Sequence, residues 1–109
     1  MQAIPLGRVN VPNAGTPVAL SSVMTAAQTA MLSTAGQCAK IEAWPDPAAA
    51  GKVFIKQGGV TLAALPVPSG GYPIPWSTPE CDHNCISPTA FQIDAATNGD
   101  GAFVTVWVE

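Results

Sequence analysis

The chain has 109 residues, of which 48% are apolar and only 10% are charged, against about 25% in a typical soluble domain. With four basic residues and a formal net charge of -3, it lacks the cationic surface that nucleic-acid binding requires. We expect no membrane span, because no apolar run reaches the roughly 18 residues that one needs. The first residues lack the basic and apolar regions of a signal peptide, and we expect one domain over residues 1–109.

The scarcity of charge is the most informative feature of the composition. A free surface that stays soluble usually carries about 25–35% charged residues. Either uncharged polar residues (Ser, Thr, Gln and Asn) keep this surface hydrated, or other subunits cover much of it. We favour the second alternative and predict a homo-oligomer, a trimer or a higher ring.

The N-terminal segment, residues 1–11, predicts an arm or edge strand. The strand runs over Ala3–Val11, and its core-facing residues are Ile4, Leu6 and Val9. Pro5 has no backbone N–H to give to a neighbouring strand, which favours a position at the edge of a sheet.

A second short strand is predicted at Thr16–Leu20, and an irregular excursion follows it over Ser21–Gly36. Ser21 or Ser22 could cap a helix there. Its apolar stripe would be Met24, Ala27, Ala30 and Met31. The surrounding Thr and Ser residues are mediocre helix formers, so the excursion contains at most one short helix.

Two strands with a period of two are predicted on either side of the loop Pro45–Gly51. In the first, the core-facing residues are Ala39, Ile41 and Ala43, and the outward ones are Lys40, Glu42 and Trp44. In the second, Val53 and Ile55 face inward, and Lys52, Phe54 and Lys56 face outward. Because about seven residues separate the strands, we predict a hairpin with a long loop. That pairing would bring Glu42 close to Lys52 or Lys56.

A region rich in turns follows this pair. Gln57–Gly59 is a turn signal, and Val60–Leu65 predicts the next strand. Residues 66–88 form a proline-rich and cysteine-containing loop region. Its apolar anchors are Tyr72, Ile74 and Trp76.

The last two predicted strands are Ala90–Asp94 and Ala102–Val108, with a turn between them. The final strand is apolar on both sides. Phe103 and Trp107 lie on one side, and Val104, Val106 and Val108 on the other. Such a strand is either central in a sandwich or covered outside by a neighbour. These seven strands, together with an extended edge segment in the proline-rich region, make eight short strands separated by turn signals, which predict an all-β, antiparallel sandwich of the jelly-roll-like kind.

The densest cluster of reactive side chains is Cys81, His83 and Cys85. These residues are weak candidates for a structural zinc site, because ligands at every second position crowd a tetrahedral metal. The alternatives are a local disulfide between the two cysteines and two free thiols, and we favour the thiols. The third cysteine, Cys38, has no counterpart in this cluster, and we expect it to behave as a small buried apolar residue. We therefore expect no cofactor.

No arrangement typical of catalysis is recognisable in the sequence. His83 is the only histidine, and nothing near it would orient it or stabilise an oxyanion. The segment Asp94–Gly101 weakly resembles a calcium loop, but Asn-Gly and Asp-Gly pairs are ordinary turn formers. We therefore expect that the protein is not an enzyme.

The aromatic residues that we expect to be exposed are compatible with two alternative functions. Trp44, Tyr72 and Trp76 could form a surface on which a carbohydrate stacks, or they could anchor a protein interface. We favour the interface, and Trp44 is the best exposed candidate because it alternates outward with two charged residues.

Six segments carry a family resemblance. They are Gly15–Leu20, Lys40–Pro47, Gly51–Lys56, Leu62–Pro68, Ser87–Phe91 and Ile93–Val104. In their order and spacing they resemble small β-sandwich structural proteins of tailed bacteriophages. The resemblance leaves out the Ser21–Gln37 excursion and the loop at Asp82.

The resemblance implies a virion component, either a capsid decoration (cement) protein or an accessory of the head-to-tail region or tail. Its partners would be other copies of itself and the major capsid or tail proteins, and it would assemble in the host cytoplasm. The expected contact residues are Ile4, Leu6, Trp44, Pro45, Pro47, Tyr72, Ile74 and Trp76. The alternative function is a carbohydrate- or receptor-binding module.

Overall fold

Strands dominate the computed structural model of the chain, which describes residues 1–68 and 72–109. Within these ranges the strands are β1 (Gln2–Asn10), β2 (Val18–Ala19), β3 (Lys40–Pro45), β4 (Val53–Gln57), β5 (Val60–Leu65), β6 (Trp76–Ser77), β7 (Phe91–Ala95) and β8 (Gly101–Val108). A short helix, α1, spans Ala26–Ala30, and single 3-10 turns occur at Leu20–Ser22 and Pro88–Ala90.

These strands form two antiparallel sheets of four strands each in the described part of the chain. The first sheet has the order β1-β8-β3-β6, and the second has the order β2-β7-β4-β5. The prediction of an all-β antiparallel sandwich with little helix is confirmed.

The core lies between the sheets and follows from the alternation of side chains along each strand. From the first sheet it takes Ile4, Val9, Ile41, Ala43, Val104, Val106 and Val108, and from the second Val53, Ile55, Leu65, Phe91, Ile93 and Ala95. Most are β-branched, which suits the pleated surface of a strand. Full burial of one valine or isoleucine side chain contributes about 1.5–3 kcal/mol, so these residues supply most of the driving force for folding.

The predicted hairpin between β3 and β4 is wrong. β3 belongs to the first sheet and β4 to the second, so the loop after Pro45 crosses between the sheets. The mistake has a physical reason. Two strands show the same alternation of inward and outward residues whether they are hydrogen-bonded in one sheet or lie in opposite sheets of the same core. Glu42 consequently lies beside Lys40, and Lys56 pairs with Asp94 instead.

The hairpin between β4 and β5 is present as the sequence predicts. Gln57 pairs with Val60 across a two-residue turn. Gly58 and Gly59 both have positive φ, 57° and 83°. A turn of this kind matches the twist of the flanking strands and requires residues that tolerate positive φ at both positions.

β1 is an edge strand, as its proline predicts. Among the described strands it pairs only with β8, and the register shifts between Pro5 and Gly7. The shift leaves Leu6 half-buried, while Ile4 and Val9 reach the core.

The excursion after β2 contains α1, but neither Ser21 nor Ser22 caps it. Thr25 is the N-cap, since its hydroxyl accepts a hydrogen bond from the Gln28 backbone N–H and the Gln28 side chain accepts one from the Thr25 N–H. α1 itself buries no residue. No helix in the described ranges is long and apolar enough to cross a bilayer.

One end of the sandwich is held by hydrogen bonds between loops. Arg8 donates to the Asp46 carboxylate, with 2.7 Å between Nε and Oδ2, and to the backbone carbonyl of Gly99. The buried carboxylate of Asp100 accepts from the backbone N–H of Gly51 at 2.9 Å. These bonds connect the loop after β3 to the turn before β8.

Gly101→Ala tests the close approach of β1 to β8. A Cβ at Gly101 would overlap the backbone carbonyl of Val9, which cannot rotate away. We expect a loss of about 2–3 kcal/mol in the free energy of unfolding, measured by urea denaturation. At Gly51, in contrast, an added Cβ meets the Thr97 hydroxyl, which can change rotamer, and the Ala96 methyl at 3.3 Å, which has to give by only a few tenths of an ångström. Gly51→Ala is therefore the control, and an equal loss in both variants would contradict this account.

Candidate functional site

The eight residues predicted to form contacts do not share one surface. The exposed ones are Trp44, Pro47, Tyr72 and Ile74. The half-buried ones are Leu6 and Trp76, and the buried ones are Ile4 and Pro45. Because the chain's own fold covers Ile4 and Pro45, their side chains offer no exposed contact.

The outer side of the first sheet carries three aromatic residues, Trp44, Phe103 and Trp107, which we call the aromatic face. Trp44 lies directly opposite Phe103 in the β3–β8 pair, and Trp107 lies opposite Lys40 two pairs further along that side. Trp44 is 41% exposed and Phe103 is 44% exposed, while Trp107 is half-buried. β8 buries its valines inward and directs its aromatic residues outward, where Trp44 and Phe103 stay exposed while the indole nitrogen of Trp107 is buried without a hydrogen-bond partner among the described residues.

The charges beside the aromatic face are paired with one another. Lys40 Nζ lies 3.7 Å from Glu42 Oε2, and Arg8 pairs with Asp46 at 2.7 Å. The hydrogen bond from Arg8 holds the pKa of the Asp46 carboxyl below its ordinary value. Glu42 also accepts a hydrogen bond from the indole N–H of Trp44, at 3.1 Å. This surface therefore suits an apolar or planar partner rather than a charged one.

The stacking surface proposed from Trp44, Tyr72 and Trp76 is not assembled as the sequence suggested. Trp76 lies opposite Ala43 in the β3–β6 pair, and it therefore points inward. Its ring centroid is 6.3 Å from that of Phe91 in the core. Sequence reasoning placed Phe103 on one of the two sides of the last strand, without assigning that side outward, and did not name it as a contact residue. The sequence does not show that Phe103 lies opposite Trp44 in the β3–β8 pair.

The Cys81–His83–Cys85 cluster is not arranged as a metal site. Cys81 and Cys85 form a disulfide with Cα atoms 6.0 Å apart, which corrects our preference for free thiols. Both sulfurs are thereby unavailable as thiolate ligands. His83 is exposed and has a φ of 66° in the loop between them. Among the described residues, no three His, Cys, Asp or Glu side chains are grouped as metal ligands would be.

Cys38 is fully buried beside the loop that carries the disulfide. Its backbone pairs with that of Ile86 in an isolated bridge. Burial raises the pKa of the Cys38 thiol to about 11. The thiol is consequently protonated and unreactive in the native protein at neutral pH.

A groove of about 610 Å³ lies between the disulfide loop and the end of β6. Its lining residues are Gln57, Thr78, Pro79, Glu80, Cys81, Cys85, Ile86, Ser87, Ala90 and Phe91. Glu80 is the single ionisable side chain among them apart from the disulfide-bonded cysteines. The groove therefore offers one carboxylate, two hydroxyl groups and one amide beside apolar side chains.

The outer side of the second sheet contains a buried ion pair. Asp94 accepts hydrogen bonds from Lys56 Nζ at 2.8 Å, from the Ala95 N–H at 2.8 Å and from the Gly15 N–H at 3.0 Å. Burial raises the pKa of this carboxyl, but the hydrogen bonds outweigh burial and lower the pKa below its ordinary value. The carboxylate therefore fastens the turn at Gly15 onto the sheet.

The comparisons with known proteins give no relative. The chain matches no protein family model, and no curated protein or solved structure is significantly similar to it. Geometry, surface chemistry and the resemblance carried by the six chain segments are therefore the grounds on which a function can be proposed.

Acid unfolding tests the Asp94–Lys56 pair. Because the pKa of Asp94 is lower in the folded state, the pair stabilises the fold above the unfolded pKa of about 3.9 and is lost as pH falls through the folded pKa. We expect the unfolding free energy to fall below about pH 5, and less steeply in Asp94→Asn. At pH 7 that variant should lose about 1.5–3 kcal/mol, while Asp82→Asn, a change at an exposed loop carboxylate, should match the wild type. Identical pH profiles for Asp94→Asn and the wild type would contradict this role.

Thiol titration tests the cysteine assignments. Ellman's reagent should detect no thiol in the native protein, because Cys38 is buried and protonated. Without reductant, denaturation should expose one thiol for each chain, and prior reduction should expose all three cysteines. Three reactive thiols in the unreduced, denatured chain would refute the disulfide.

Proposed function

We propose that the protein is a noncatalytic structural component of a tailed-phage virion, which self-associates and binds the capsid or tail surface through its aromatic face. The observation that carries the proposal is the exposure of Trp44 and Phe103 side by side on the outer side of the first sheet. The resemblance of six chain segments to phage structural proteins supports the same assignment.

The aromatic face has the chemistry of a protein interface. Aromatic side chains are enriched at binding hot spots because they remove a large apolar area from water with few rotatable bonds. Each Å² of apolar surface that a partner covers contributes about 25 cal/mol before the entropic cost of association. The neighbouring ion pairs are already neutralised, so a partner would meet little net charge. Binding through this face should therefore depend only weakly on salt.

Assembly on a larger particle also explains the composition. The isolated chain exposes 5423 Å² with 11 charged side chains, which is sparse for a free soluble surface. Other copies and the particle would cover part of this area. Assembly would take place in the host cytoplasm, as the resemblance implies.

A carbohydrate-binding module is the second candidate, and one contact favours it. The hydrogen bond to Glu42 holds the indole of Trp44 in a defined orientation next to Phe103. Two adjacent aromatic rings on the outer side of a sheet, one of them held in place, can stack against the apolar face of a sugar. In this alternative the same face would bind a glycan on a cell surface rather than a protein of the particle.

Particle binding tests the proposal. Mass spectrometry should find the chain in purified virions, and particles assembled without its gene should rebind the added protein. In a sedimentation assay, Trp44→Ala/Phe103→Ala should weaken rebinding at least about tenfold, because two hot-spot side chains are removed. Met31→Ala, a truncation at an exposed apolar residue after α1, should rebind like the wild type.

Two results would contradict the proposal. One is the absence of the chain from purified virions, and the other is unchanged rebinding by the double variant. Retention on a glycan array that is lost in Trp44→Ala would identify the carbohydrate-binding alternative.

A further inference from the structure

The four outer edges of the sandwich differ in their ability to pair with another strand. In the described residues they are β1 and β6 in the first sheet and β2 and β5 in the second. An edge strand exposes backbone N–H and C=O groups that can pair with another chain, and proteins usually block this with prolines, charges, bulges or very short strands.

The β1 edge is blocked by three of its features. Pro5 has no N–H to donate, and its carbonyl already accepts a hydrogen bond from Gln28 Nε2 at 2.9 Å. The register shift after Pro5 and the charge of Arg8 add further obstacles.

The edges at β2 and β6 are too short to act as templates. Each strand has two residues. Pro17 precedes β2, while Pro75 precedes β6 and Pro79 follows it closely. A partner strand would meet missing donors on both sides of β6 and before β2.

β5 lacks most of these obstacles. It has six residues without a proline or a charge, and no charged residue occurs between Lys56 and Glu80. Val60 is 64% exposed and Leu62 is 46% exposed. In the described ranges, the hydrogen bonds of β5 with other elements are those of its ladder with β4.

We propose that the β5 edge pairs in antiparallel orientation with β5 of a second copy of this chain. The two second sheets would then join into one continuous sheet of eight strands. Backbone ladder bonds would supply the affinity, and the exposed side chains of Val60 and Leu62 would be covered.

The absence of charge argues for a second copy rather than a different partner. Two identical uncharged strands approach each other without repulsion, and an antiparallel pair related by a two-fold axis presents the same groups to both sides. A partner selected by charge would find no complementary charge on β5. The inference rests on the self-association in the proposed function, but not on the identity of the particle.

A bulge limits the strength of this contact. Ile55 pairs with Ala63 and Lys56 with Thr61, so Leu62 is the additional residue of β5. A bulge bends and twists the strand, which shortens the regular ladder that a partner can join. We therefore expect a weak dimer in solution that is reinforced when many copies gather on one particle.

Lysine substitutions at the edge test the inference on the full chain. Leu62→Lys and Val60→Lys each place a charged side chain on the uncharged edge, and a lysine at an edge strand opposes pairing with another strand in whatever register the two copies would meet. By sedimentation velocity, each should raise the dimer dissociation constant at least about tenfold. Met31→Lys adds the same charge at an exposed site after α1 and should leave association unchanged. Circular dichroism confirms that each variant is folded.

Hydrogen exchange provides a second readout that is specific for backbone pairing. Amides within Val60–Leu65 should exchange more slowly as the wild-type concentration rises, and this protection should disappear in Leu62→Lys. Self-association that is unaffected by both β5 lysines would overturn the inference and leave the proposed function intact. A wild type that stays monomeric at millimolar concentration would remove both the β5 pairing and the proposed self-association, while the rebinding assay still tests particle binding separately.

Discussion

The position of β8 is the constraint on which the rest of the structure depends. It pairs with β1 on one side and with β3 on the other, so its ladder is complete, and its outer face carries Phe103 and Trp107 on either side of Thr105. Its inner valines form the centre of the core, and this fixes its outer aromatic residues on the opposite side of the sheet. In the isolated subunit only the inner face of such a strand is buried in the core, so its outer side chains are fully buried only when a partner covers the first sheet from outside. The exposed aromatic face is thus a consequence of the same alternation that builds the core.

The two proposed contacts lie in different directions. The aromatic face would be covered along the normal of the first sheet, whereas the β5 edge extends the second sheet sideways. The first contact depends on side-chain area and the second on backbone hydrogen bonds, so substitutions can separate them. A subunit with one contact of each kind could bind a particle and also join its neighbours on that particle.

Much of the fold could be predicted from local patterns, because the period-two alternation identifies strands and their inner faces. Val53 and Ile55, for example, face the core as expected. Alternation carries no information on which strands pair, and this is why β3 and β4 were joined incorrectly. The helix cap at Thr25 was missed, although Gln28 three residues later completes a capping box. The pairing of Trp44 with Phe103 depends on long-range register, which the sequence alone does not contain.

The central claim is that a partner covers the aromatic face in the assembled state. Hydroxyl-radical footprinting of the free protein and of the protein bound to purified particles measures this directly. Oxidation of Trp44 and Phe103 should decrease strongly on the particle, while oxidation of Met31 stays the same. Equal oxidation of Trp44 and Phe103 in the free and the bound protein would contradict the account.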